Sequence, residues 1–327
     1  RATAQALLVL LALLALGGCA SLGSAGRDDA RSSDGPAAEA AGAPVVRVEV
    51  DAPAPLRELL ERHLDLSRLA RLSRGDAVTD TELQRLVDAA PAQMRELLQT
   101  EGYFKPGLRV QRQAAAAPGQ PETVVLHVDP GPRVRIARVT IEAQGALEQA
   151  RLAGDERARG VLADLRGGWS MPVGSSFRNA DWSDAKAAAL ARLRSAGYAA
   201  AAWSGTAAEI DDMQHSARLF LVADSGPLFR SGAIQVEGLQ RQDADTVRAL
   251  AGFRPGTPVT EALLLDYQER LQRAGLFESV TVSLDTDPAA ADAATLLVRL
   301  REAPVQVYTV GVGISANTGP RASLEHA

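Results

Sequence analysis

Cys19 is the single cysteine of the 327-residue chain, and its surroundings suggest a chemistry for it. Ala6–Leu16 is a continuous apolar run preceded by Arg1 and closed by Leu16-Gly17-Gly18-Cys19-Ala20. Such a run is short for crossing a bilayer but suits the apolar core of an export signal. Small residues before a lone cysteine are the setting in which the thiol is lipidated and heads the mature chain. Ordinary cleavage near Ala20 and a free buried thiol are the competing readings. A solitary cysteine in an exported protein has no intramolecular disulfide partner, which favours a use other than bridging.

No other residue set points to bond-making chemistry. His63, His127, His215 and His326 are scattered without ligand spacing, so no metal is expected. Gly-rich phosphate loops, HExxH and GxSxG are absent from the sequence, and no clustered His/Asp/Ser set is visible. The chain is therefore expected to be a non-enzyme without cofactor. A net charge of −5 and the lack of Lys/Arg blocks argue against nucleic acid as a partner. Arg68, Arg71 and Arg74 read as a solvated face rather than a lipid-headgroup patch.

The elements that would position any function come from a unit written three times: LLQTEGYFKPGLRV at 97–110, RLRSAGYAAAAWSG at 192–205 and RLQRAGLFESVTVS at 270–283. Leu98, Leu193 and Leu271 each stand four residues before a glycine: Gly102, Gly197 and Gly275. Tyr103, Tyr198 or Leu276-Phe277 follows, and then an alternating stretch. This is the pattern of a helix that stops at glycine and hands over to a strand. The repeat runs further. Pro132 and Pro227 share one offset from Gly102 and Gly197, and Pro304 stands one residue nearer to Gly275. Before each proline lies a Val/Leu-rich strand pattern: 123–129, 217–224 and 295–302. After the first two prolines, Val139 and Ile141 match Ile234 and Val236, and Glu142 matches Glu237.

Each unit thus reads strand, helix, helix, strand, strand. In the first, a strand at 45–50 precedes apolar periodicity over 55–72 and a second helix over about 79–101. Thr79 or Asp80 caps that helix, with Glu82 placed as in a capping box. Pro91 should kink or divide it. In the third unit Thr260 caps helix 261–273, with Leu263, Leu264, Tyr267 and Leu271 on one face. Each unit is large enough for one small two-layer core. With 4% aromatic residues those cores should consist of Leu, Val and Ala. Trp169, Trp182 and Trp203 all fall in the second unit and are expected in its core, with contact to a partner or lipid as the alternative.

Residues 20–44 are small, polar and Pro/Gly-containing, as in a flexible linker. At the other end, one face of 306–315 carries Gln306, Tyr308, Val310, Val312 and Ile314. The opposite face carries Val307, Thr309, Gly311, Gly313 and Ser315. An apolar face opposite a small polar one suits a transmembrane β-strand, with Tyr308, Val310, Val312 and Ile314 toward lipid. An amphipathic strand closing the third unit is the bland alternative. Asn317–Arg321 reads as a turn and 322–327 as a returning strand. Arg1 in place of an initiator Met, and an end inside the first hairpin, suggest a piece of a longer protein.

These features resemble POTRA domains, the periplasmic modules of outer-membrane assembly factors. The third unit carries the fullest signature: Gly256-Thr257-Pro258-Val259, Tyr267, Leu271, Gly275-Leu276-Phe277, Val280 and Val282. The second departs from it, with Ala199 after Tyr198. Val310-Gly311-Val312-Gly313-Ile314-Ser315 through Thr318-Gly319-Pro320-Arg321 is similar to the opening barrel strands of TamA-like autotransporter assembly factors. That family has three POTRA domains before its barrel and belongs to the superfamily that includes BamA.

The resemblance implies an α+β chain of three tandem POTRA modules, β-α-α-β-β, with helices packed on small three-stranded sheets. The first strands of a truncated barrel follow. The corresponding segments are signal peptide 1–19, linker 20–44, modules 45–131, 132–226 and 227–303, and hairpin 304–327. It implies an outer-membrane location with this region mostly periplasmic, and Ala20 after Cys19 would sort a lipidated chain to that membrane. Unfolded β-barrel or autotransporter clients and a TamB-like, inner-membrane-anchored protein are the implied partners, besides outer-membrane lipid. By the same resemblance the second strand of each module, about 106–113, 199–205 and 278–285, is the exposed edge that accepts an extended partner. The glycines are expected to serve structure, as helix stops. Two other functions fit less well: a two-partner secretion transporter, and a lipid-tethered periplasmic scaffold without a barrel.

Overall fold

The computed structural model describes residues 46–72, 79–117, 120–304, 308–315 and 319–326. Cys19, the signal-like run, the linker and Arg74 lie outside them.

The first module runs β1 (Val46–Asp51), α1 (Ala54–His63), α2 (Asp65–Leu72), α3 (Asp80–Thr100), β2 (Gly107–Gln113) and β3 (Glu122–Asp129). The second runs β4 (Arg135–Gln144), α4 (Ala146–Leu152), α5 (Glu156–Gly167), α6 (Asn179–Ser195), β5 (Ala202–Asp211) and β6 (Ser216–Asp224). The third runs β7 (Ser231–Glu237), α7 (Ala244–Ala249), α8 (Glu261–Arg273), β8 (Phe277–Leu284), a 3₁₀ turn at Pro288–Ala293 and β9 (Ala294–Glu302).

All three sheets share one topology. The last strand lies in the middle, parallel to the first and antiparallel to the second: β1-β3-β2, β4-β6-β5 and β7-β9-β8. The central strand is the most apolar because neighbours flank it and helices cover one face. Val124, Leu126 and Val128 of β3 point into the first core, Leu219 and Leu221 of β6 into the second, and Leu296, Val298 and Leu300 of β9 are likewise buried. Burying each such side chain contributes roughly 1.5–3 kcal/mol.

Three local features differ from the sequence expectations. The periodic stretch 55–72 is two helices, because Leu64 is extended (φ −71°, ψ 133°) between α1 and α2. Its side chain, fully buried, is carried inward by that bend. Of the two outcomes expected at Pro91, division does not occur: α3 runs unbroken for 21 residues. An interior proline costs about 3 kcal/mol, but Leu83, Leu86, Ala90, Met94 and Leu98 form one buried face on both sides of it. The third difference is in composition. The second core is not built from small aliphatics alone, since Trp169, Phe177, Trp182 and Tyr198 are buried there. Trp169 and Trp182 meet edge to face at 6.0 Å, and Trp203 packs partly buried against the same cluster.

The caps follow the sequence. Thr79 Oγ1 accepts from the Glu82 amide at 3.3 Å, and Thr260 Oγ1 from the Leu263 amide at 3.2 Å. Of the α8 face, Tyr267 and Leu271 are fully buried while Leu263 and Leu264 are half-buried. Beyond the third module, β10 (Tyr308–Ser315) and β11 (Gly319–His326) pair antiparallel, Tyr308 opposite His326. The side-chain surroundings of Tyr308, Val310, Val312 and Ile314 lie outside what the structure describes.

Candidate strand-acceptor edge and module junctions

Gly102, Gly197 and Gly275 all sit in the left-handed region, at φ 89°, 105° and 69°. The Tyr103 amide donates to Leu98 O at 3.0 Å and the Tyr198 amide to Leu193 O at 3.1 Å. Each of these bonds reaches five residues back into the last turn, as in a Schellman helix stop. Gly275 turns with its amide on Gln272 O at 3.2 Å. Tyr198 and Phe277 are buried, Tyr103 and Leu276 half-buried. The Arg133 guanidinium lies 5.3 Å from the centre of the Tyr103 ring.

The same glycines build the joints between modules. Gly102 O accepts from the Val134 amide at 2.9 Å, and Val134 O accepts from the Phe177 amide at 2.9 Å. At the next joint Gly197 O accepts from the Phe229 amide at 2.9 Å, and Phe229 O accepts from the Val259 amide at 2.8 Å. Each joint is a short backbone ladder through the second residue after the repeat proline. Around the first, the Glu101 carboxylate takes hydrogen bonds from Arg178 Nε at 2.9 Å and Arg133 Nη2 at 3.3 Å. That contact raises the Arg178 guanidinium above its ordinary pKa, chiefly through the Glu101 hydrogen bond. Phe104 also meets Phe177 at 6.1 Å. The second joint is apolar: Phe229, Ala291 and Ala294 are buried with Ala199, Ala200 and Leu284 around them.

Sequence reasoning missed Phe177 and Val134. Gly174-Ser175-Ser176-Phe177 is the counterpart of Gly256-Thr257-Pro258-Val259, with Gly174 and Gly256 bonded to Ile136 O and Ser231 O. The match was obscured because α6 has 17 residues and α8 has 13. Four extra residues are about one helical turn and leave the buried face in phase.

In the second and third sheets the first-strand edge is partly covered. The start of β4 pairs with 174–177 and the start of β7 with 256–259. Farther along, Arg166 Nε donates to Ile141 O at 3.2 Å, and Arg248 Nε to Ile234 O at 3.3 Å. These groups blunt the first-strand edges. On the other side, Gln268 Oε1 accepts from the Val282 amide of β8 at 3.4 Å. The outer strand β2 carries Arg109 and Arg112, and Arg112 is held by Asp80 and Glu122.

The edge of β5 has no such cover. Among the described residues its main chain makes no hydrogen bond outside the ladder with β6. Ser204, Gly205, Thr206 and Ala207 are exposed, small and uncharged. A bulge between Trp203 and Gly205 sets the flat stretch apart from the joint. The expected edge at 199–205 is thus displaced: Ala199 and Ala200 serve the joint, Ala201 is buried, and the strand begins at Ala202. The second strands of modules one and three, at 107–113 and 277–284, lie within a residue of expectation.

Among the described residues no group of three or more His, Cys, Asp or Glu is placed to hold a metal ion. His127 Nδ1 lies 3.0 Å from Asp51 Oδ2, and His215 sits at the β5–β6 turn with φ 50°. No described helix is long and apolar enough to cross a membrane.

One strand, a helical segment of three helices in modules one and two and two in module three, then two strands with the last one central in the sheet: this order, three times in tandem, decides the architecture. The modules have the POTRA fold. No family model matches the chain. Among solved structures it is similar to POTRA3–5 of BamA from Haemophilus influenzae, at 19% identity over 80% of this chain and 96% of that one, with a TM-score of 0.41. It is also similar to POTRA1–3 of Omp85 from Anabaena, at 17% identity over 81% and 96%, with a TM-score of 0.28. CdiB from Acinetobacter baumannii matches at 14% identity over 72% of this chain and 41% of that one, with a TM-score of 0.30.

Proposed function

We propose that this chain is the POTRA-bearing, mostly periplasmic region of an outer-membrane protein assembly or secretion factor of the Omp85 type. The supporting observation is the uncovered edge of β5. An exposed run of unpaired N–H and C=O groups accepts a partner strand through main-chain bonds and asks little of the partner's side chains. That suits many unfolded β-barrel clients and needs neither bond-making chemistry nor cofactor.

The finer reading is a TamA-like factor. It takes autotransporter barrels as clients and docks an inner-membrane-anchored TamB-like protein on its modules. The β10–β11 hairpin then opens a barrel in the outer membrane, with Tyr308, Val310, Val312 and Ile314 toward lipid. Cys19 carries a lipid in this reading.

The test uses the full-length protein with a photo-crosslinking residue at Thr206 on β5, or at Gln235 on β7, whose edge Arg248 blunts, as control. Each variant is offered a purified autotransporter barrel domain in its unfolded state. Adducts concentrated at Thr206 support strand acceptance at β5. Equal yields at the two positions, or none, reject it.

A further inference from the structure

We infer that module two carries a second, guarded docking site, along the window Val139–Ala143 of β4, for an extended peptide segment bearing carboxylates. The inference shares with the proposed function the premise that module edges accept strands, and it stands apart from whether β5 takes a client. A groove of about 600 Å³ runs beside this window, between the strand and the end of α5. Arg138, Ile141, Arg166, Trp169, Pro172 and Val173 are among its lining residues.

Three observations on this groove converge. First, the main chain is partly free there. In a parallel pair the N–H and C=O of one residue point to the same side and alternate along the strand. Ile141 O is the group Arg166 reaches, so Val139, Ile141 and Ala143 present their polar groups outward. The segment 174–177 closes the edge only as far as Ile136.

Second, Trp169 is 8% exposed, and its indole Nε1 is enclosed without an acceptor among the described residues. A buried donor without a partner is uncommon and calls for one. Third, the charge is unbalanced. Arg138 and Arg166 line the groove against Glu142, and neither arginine forms an ion pair among the described residues, Glu148 near Arg166 being held by Arg151 at 2.6 Å. Val173, 63% exposed at the rim, adds an apolar contact.

An incoming strand would take over Ile141 O from Arg166. The freed guanidinium and Arg138 would then meet a carboxylate, for which arginine has matching donor geometry. The indole N–H would gain an oxygen acceptor by a small shift of its ring. A neutral segment would have to displace Arg166 without giving it a new partner. The site therefore selects acidic extended segments, where β5 is indifferent to side chains.

The experiment titrates the full chain with a capped, fluorescently labelled decapeptide in which glutamate alternates with threonine and valine. Binding is read by anisotropy and by the indole ¹H–¹⁵N signals, with the Trp169 signal assigned through Trp169→Phe. The expected result is saturable binding that moves the Trp169 signal. Exchanging the glutamates for lysines, or making Arg166→Gln, should weaken it at least about tenfold, the loss of one charge-assisted contact. Arg138→Gln, at an exposed position, provides the same test should Arg166→Gln fail to fold. No binding, equal binding of the lysine peptide, unchanged affinity in the arginine variants, or shifts confined to β5 amides would each overturn the site.

Discussion

Alanine at the three repeat glycines should have three different effects, although the sequence writes the positions alike. All three have positive φ, at 89°, 105° and 69°, and that conformation costs an L-residue roughly 1–2 kcal/mol. A Cβ on Gly275 meets nothing within 4 Å, so Gly275→Ala should cost only that strain, about 1 kcal/mol. On Gly197 it lies 3.1 Å from both Leu228 Cδ1 and Val259 O. The leucine can give way by tenths of an ångström, so about 2 kcal/mol is expected. On Gly102 it falls 2.1 Å from Phe177 O. That carbonyl belongs to a residue pinned by its amide to Val134, which is itself bonded to Gly102. Relief requires opening the joint, which gives up two hydrogen bonds at about 1 kcal/mol each and brings the total above about 3 kcal/mol. Hydrogen exchange on the full chain reads this directly at the Val134 and Phe177 amides. Gly102→Ala should lower their protection on the order of 100-fold, since each 1.4 kcal/mol is a factor of about ten. Gly275→Ala should leave these two amides unchanged and lower the protection of β9 by less than about tenfold. Equal losses in all three variants, or a larger loss from Gly275→Ala, would refute the claim that the joint rather than the helix stop makes Gly102 irreplaceable.

Tyr267, fully buried, donates its hydroxyl to Val247 O at 2.9 Å, so Tyr267→Phe should cost about 1–2 kcal/mol in chemical denaturation by orphaning that carbonyl. Burial pushes its phenol up to about 12, so in wild type this contribution is present at neutral pH and is lost as pH rises from about 10 through 12. The Glu302 carboxylate is held down to about 2, first by the Gln242 amide and then by the Arg241 side chain and the Arg241 and Gln240 amides. A depressed acid contributes above its unfolded value and loses that contribution as pH falls. Acid should therefore loosen the end of module three between about pH 4.5 and 2, and Glu302→Gln should flatten that limb in a pH series of thermal melts. Ser225, fully buried, accepts from the Leu147 amide at 3.0 Å and donates to Gly226 O at 2.9 Å. Ser225→Ala should destabilise module two by about 1–3 kcal/mol, whereas a change within error in the denaturation midpoint would show that water replaces the hydroxyl.

Local chemistry settled much of this chain in advance. Glycine is the residue that takes positive φ without strain, so Gly102, Gly197 and Gly275 announce their turns. Alternating Val and Leu announces the central strands, and Thr79 and Thr260 announce helix starts that depend on bonds three residues away. Tertiary structure decided the rest, because the deciding groups lie far apart in sequence. Packing of Leu83 through Leu98 overrode Pro91, and the demand to bury Leu64 broke one helical pattern into two. The alanines after Tyr198 look like a strand in isolation. The apolar joint around Phe229 claims Ala199 and Ala200, so the strand begins later. Which sheet edges stay open depends on Arg166, Arg248 and Gln268 reaching main-chain groups across the fold. A repeat tells where strands lie, but whether an edge is covered is a property of what packs beside it in space.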